Sequence, residues 1–110
     1  MGKNSFVERR FEFYDGELVA RFATPIRAAG GEFQCHFSIG WPAGDQVGFA
    51  SGLDGLQALM LAMREVHSEL IDHDAYREGR LTWCEQADLD LPPTWSVGPL
   101  YSSAPPPRER

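Results

Sequence analysis

The feature that most limits what this chain can fold into is a change of hydrophobic period near its middle. In EFQCHFSIG, residues 32–40, Phe33, Cys35, Phe37 and Ile39 alternate with Gln34, His36 and Ser38. A period of two puts an aromatic-rich face on a core and a polar face toward water, which is the pattern of a half-buried strand. Some fifteen residues later the period lengthens. Leu56, Leu59, Met60, Met63, Val66, His67 and Leu70 recur at i, i+3, i+4 and i+7. That spacing predicts an apolar stripe on a helix of about 17 to 19 residues. Two elements of different period, each apolar on one side, need one another to exclude water.

The residues before this switch continue the strand pattern. Val7, Phe11 and Phe13 share one face of an extended segment, and Glu8, Arg10 and Glu12 the other. Asp15-Gly16 predicts a hairpin turn, because glycine tolerates positive φ. Leu18, Ala20 and Phe22 mark a second strand, Pro25 interrupts it, Ile26 could resume it, and Gly30-Gly31 turns the chain again. After a turn at Trp41-Pro42 and Gly44-Asp45, a short fourth strand from Gln46 to Ala50 is expected to carry Val47 and Phe49 inward. The predicted fold is therefore α+β: a two-layer sandwich of a four-stranded antiparallel meander, followed by one long amphipathic helix packed on one face. A short extra strand could lie near 80–84. Residues 1–96 are expected to form a single α+β domain, and 97–110 a Pro-rich disordered tail.

Helix entry invites a functional reading, since glycines before a helix can cradle a phosphate. GLDGLQ, residues 52–57, lacks the lysine and hydroxyl of a phosphate loop, and Asp54 would compete with an anion for the same amides. The expectation is structural. Asp54 caps the helix, Gln57 reaches back to the Asp54 amide in a capping box, and Gly52 and Gly55 permit a close approach of strand and helix.

CHFSIG, GLDGLQALMLAM and GRLTW together resemble a domain-of-unknown-function family of small, uncharacterised bacterial proteins. That family pairs a C-x-aromatic-x-I strand with a G-x-D-x-x-Q-A-L-x-L-A helix start. The matching residues are Cys35, Phe37, Ile39, Gly52, Asp54, Gln57, Ala58, Leu59, Leu61 and Ala62, and the likeness runs roughly from Phe6 to Trp95. It implies the architecture just read and no chemistry.

Composition narrows the function classes. A formal charge of −6 repels phosphates, so neither nucleic acid nor an anionic membrane is an expected partner. No apolar run approaches the ~20 residues that span a bilayer, and the charged N-terminus does not read as a signal peptide. Cys35 and Cys84 lack the spacing of a zinc or redox site, so both thiols are expected free and the location cytoplasmic. On a strand Cys35 and His36 point to opposite faces and cannot form a catalytic pair. His67 is read as a core-edge imidazole, and His73 as complementing the dipole at the helix C-terminus. No catalytic residue, cofactor or metal site is assigned.

Three readings stay open. The first is a non-catalytic protein-interaction domain, of the immunity or antitoxin kind, masking a basic partner. Leu61 and Arg64 on the outer helix face, with Trp83 and Trp95 after it, form its suspected surface, unless the LDLPPTW segment folds back and covers Leu61. The alternative is a small-molecule-binding protein or enzyme using the polar sheet face, Gln34, His36 and Ser38, with Arg9 or Arg21. A homodimer through an edge strand or the outer helix face is the third.

Overall fold

The computed structural model describes residues 6–92. Its elements in chain order are β1 (Phe6–Phe13), β2 (Gly16–Ala23), β3 (Ile26–Arg27), β4 (Phe33–Trp41), β5 (Gly44–Gly52), α1 (Gly55–Ile71), α2 (Asp74–Arg77) and β6 (Leu81–Thr82). Every strand pair is antiparallel. β1 pairs with β2, and β2 with the middle of β4. β3 extends the β2 row by pairing with the start of β4, and β5 pairs along the whole of β4. β6 adds to β1 at Glu12 and Phe13. The α+β fold is thus an open six-stranded sheet carrying one main helix. Ile26 does resume the interrupted strand, and residues 81–82 do supply an extra one.

One face of the sheet is the core. Phe11, Phe13, Leu18, Ala20, Phe22, Cys35, Phe37 and Ile39 are buried there, against Ala58, Ala62, Val66 and Leu70 of α1. The stripe is rotated from the predicted one. Met63 and Leu59 flank it, while Leu56 is exposed. The reason is size, because alanine at two successive turns lets the helix axis come close to the strands.

The same close approach corrects the fourth strand. β5 turns Gln46, Gly48, Ala50 and Gly52 toward α1, and Val47 and Phe49 face outward. A Cβ on Gly52 would lie 2.5 Å from the Ala58 amide nitrogen, and one on Gly48 2.7 Å from the tip of the Phe37 ring. There is no room for Val47 or Phe49 on that side. The two-residue connection Pro42-Ala43, closing on Trp41 opposite Gly44, sets the parity. A slip of one residue inverts every side chain.

The first hairpin also differs. Its turn residues are Tyr14 and Asp15, with Phe13 opposite Gly16, and the positive φ of 53° falls on Tyr14. Tertiary contacts hold Tyr14 there: its amide donates to the Arg80 carbonyl at 2.9 Å and its phenol to Glu78 at 2.8 Å.

α1 packs mainly on β5 and β4 and less on β2. Leu81, Leu89 and Leu91 join the same core, so the segment after α2 folds back onto the sheet. Arg9 anchors it. Its guanidinium donates to the Leu89 and Asp90 carbonyls at 3.0 and 2.6 Å and lies 4.2 Å from the Trp83 ring centre. Arg9 therefore sits on the core side and does not belong with His36. Residues 97–110 and Trp95 lie outside the described residues.

Candidate functional site

Helix entry is a cap. Asp54 Oδ1 accepts from the Gln57 amide at 2.8 Å. Gln57 Oε1 accepts from the Leu53 amide at 2.6 Å, one residue earlier than the expected Asp54 amide. Gly52 is buried against the first turn of α1. The Asp54 and Gln57 side chains thus satisfy the Gln57 and Leu53 amides and leave the helix start occupied.

His73 also has a structural duty, and not the one expected. It is the N-cap of α2, where Nδ1 accepts from the Ala75 amide at 3.0 Å. Its ring stacks on Trp41 with centroids 4.4 Å apart. Gly79, at φ 75°, then closes α2 with the paired 80→75 and 79→76 bonds of a Schellman motif. His67 is half-buried on α1, where burial pushes its pKa down against the opposing charge of Asp88. Cys35 is fully buried and burial pushes its thiol up, whereas Cys84 is exposed. Among the described residues no three His, Cys, Asp or Glu side chains are grouped as a metal would require.

Glu12 holds another local structure together. Trp83 and Gln86 exchange two backbone bonds of 3.0 Å around Cys84 and Glu85, which both take positive φ, 51° and 65°. The Glu12 carboxylate accepts from the Glu85 amide at 3.0 Å and the Thr82 hydroxyl at 2.7 Å. The Glu85 amide, followed by the Thr82 hydroxyl, holds its pKa below the ordinary carboxylate value.

Of the suspected helix-side surface, Leu61, Arg64 and Trp83 are each half-buried, and Trp83 packs on the core beneath Arg9. The face that does stand open is the far side of the sheet. His36 is exposed there and lies opposite Phe49, with ring centroids 5.2 Å apart. Ser38 lies opposite Val47, and Arg21 is its neighbour on the other side. Gln34 is drawn toward Glu32, its Nε2 donating at 3.4 Å.

This face has two halves of opposite character. Glu8 binds both Arg10 (2.8 Å) and Arg21 (3.0 Å), and Arg10 also binds Glu17 (3.0 Å). The Arg21 guanidinium, with Arg10 behind it, lowers the Glu8 pKa. Those charges neutralise one another. The other half is apolar: Phe6, Ile26, Val47 and Phe49 stand 52%, 55%, 74% and 52% exposed. Phe6, Ala23, Val47 and Phe49 wall a depression of about 520 Å³, with His36, Ser38 and Arg21 supplying polar groups. Sequence reasoning found His36 and Ser38 but missed Phe6, Val47 and Phe49. Counting outward from a Pro42-Ala43 turn would have placed Phe49 beside His36.

An antiparallel sheet, one helix on its inner face and an open, partly apolar outer face define an α+β two-layer domain. The chain belongs to the family of the domain of unknown function DUF6968, whose model matches residues 7–93. No curated protein and no solved structure matches it. Among the described residues no helix is long and apolar enough to cross a membrane.

Proposed function

We propose that the chain is a non-catalytic protein-interaction module that engages its partner with the outer face of the sheet. The observation carrying this reading is the cluster of exposed Phe6, Val47 and Phe49 around one depression, with Ile26 exposed on the same face. Large apolar side chains grouped on an otherwise charged surface mark contact sites more often than chance exposure. Aromatic groups beside a depression that a partner can cover and dry are also the composition of binding hot spots. The excess negative charge of the chain favours a basic partner by steering and complementarity. An immunity- or antitoxin-like protein in a bacterial cytoplasm is the concrete form of the proposal.

The test is affinity capture from the native host with the wild-type chain and with Phe6→Glu, which leaves β5 untouched. A stoichiometric basic protein recovered by the wild type and lost with the variant supports the reading. Recovery of no protein, or equal recovery by both chains, overturns it. A second reading rests on the same depression, since His36, Ser38 and Arg21 could orient a small amphipathic ligand between apolar walls. Chemical-shift changes at His36 and Phe49 upon titration with small aromatic carboxylates would favour that alternative.

A further inference from the structure

Among the described residues the two edges of the sheet are treated very differently. At the β1 edge, Glu8, Arg10 and Glu12 alternate along the strand, β6 pairs at Glu12 and Phe13, and Arg9 ties the 89–90 carbonyls down. β5 has none of these protections. Its outer edge is unpaired over nine residues, Gly44–Gly52. The register against β4 is unbroken from Trp41 opposite Gly44 to Phe33 opposite Gly52, so no bulge turns the edge away. The strand contains no Lys, Arg or Pro, and Asp45 is its one charge. A long, regular edge with so little charge offers its free amides and carbonyls to another strand.

We propose that this edge pairs with itself: two copies join β5 to β5 antiparallel about a two-fold axis at Gly48, making one continuous sheet. Full overlap of the strands fixes the register. Gly44 lies opposite the partner's Gly52, Asp45 opposite the partner's Ser51, and Val47 opposite the partner's Phe49. No like charges meet, and the β-branched–aromatic pair occurs twice, on the outer face where Val47 and Phe49 otherwise stand exposed. On the inner face the axis passes through Gly48, which has no side chain to collide with its copy.

The helices permit this geometry. α1 lies over β4 and β5, so its axis stands about 5 Å inside the proposed seam, given strands ~4.8 Å apart. The two copies of α1 would run antiparallel about 10 Å apart, an ordinary helix-packing distance. The interface is isologous and closes after two copies. It does not depend on the protein-interaction reading, whose test variant lies on β1.

The experiment is light scattering and sedimentation of the full chain over micromolar to millimolar concentration. The wild type should reach twice its 12.3 kDa mass and stop there. Val47→Lys and Phe49→Glu should each weaken the dimer at least tenfold while keeping the circular dichroism spectrum and melting temperature of a folded chain. Combining Val47→Lys with Phe49→Glu should restore the dimer, because each introduced charge then faces its opposite across the two-fold. A wild type that stays at 12.3 kDa, or grows into open-ended oligomers, overturns the proposal. So do single variants that remain dimeric, or a double variant no better than the singles.

Discussion

Replacing Gly52 by alanine should destabilise the domain far more than the same change three residues later, at Gly55. Both glycines lie at the strand-to-helix junction, and neither has a left-handed φ, so added methyl groups cost no backbone strain at either site. What differs is space. At Gly52 the new Cβ would meet the Ala58 amide nitrogen at 2.5 Å, and Ala58 Cα and the Gln57 carbonyl carbon at 3.0 Å. All three are helix backbone, so relief requires α1 to retreat by most of an ångström. A gap of that size costs facing atoms a quarter to a half of their dispersion energy, and Ala58, Ala62 and Val66 all depend on that approach. Overpacking of about 3 kcal/mol, offset by about 0.7 kcal/mol of lost unfolded-state entropy, leaves a net loss of about 2 kcal/mol. At Gly55 the nearest atom is Pro25 Cβ at 3.5 Å, an ordinary contact, and alanine improves helix propensity. A gain of about 0.5 kcal/mol follows. Urea unfolding at a slope of about 1.5 kcal/mol per M should lower the Gly52→Ala midpoint by about 1.3 M and raise that of Gly55→Ala slightly. A Gly52→Ala midpoint within about 0.3 M of the wild type would refute the claim that close approach seats the helix.

Asp54→Ala removes the acceptor of the Gln57 amide and should cost about 1 kcal/mol by the same unfolding assay, whereas Asp54→Asn should retain most of it. At the 84–85 turn, both residues sit at positive φ, so Cys84→Asn with Glu85→Gly should stabilise by about 1 kcal/mol in thermal melts, since that pair suits this turn. The folded-state pKa of Glu12 is depressed, so its contribution is present above the ordinary carboxylate pKa and is lost as pH falls through the folded value. Midpoints measured between about pH 3 and 6 should therefore fall less steeply for Glu12→Gln than for the wild type, and parallel curves would contradict the contact. His67, also depressed, acts in a higher window. Its neutral form is favoured in the fold, so His67→Gln should lessen the loss of stability as pH drops below about 6.5.

Period alone determined a great deal of this protein. The alternation from Phe33 to Ile39 made β4 a strand with Cys35 inside and His36 outside, whatever surrounded it. The spacing from Leu59 to Leu70 made α1 a helix, and Asp54 and Gln57 marked where it starts. Local covalent geometry and short-range hydrogen bonds suffice for such statements. Tertiary structure decided the rest. Hydrophobicity along β5 favours Val47 and Phe49 as core residues, yet α1, brought close by Ala58 and Ala62, and the Phe37 ring of β4 leave room on that side only for Gly48, Ala50 and Gly52. The apolar pair was therefore sent to the outer face, where it creates the candidate site. Arg9 looked like a surface ligand group until carbonyls eighty residues away claimed it. His73 looked like a charge at a helix end until its ring nitrogen became a cap. In each case the outcome depends on which backbone arrives next to the side chain, and distance along the sequence carries no information about that.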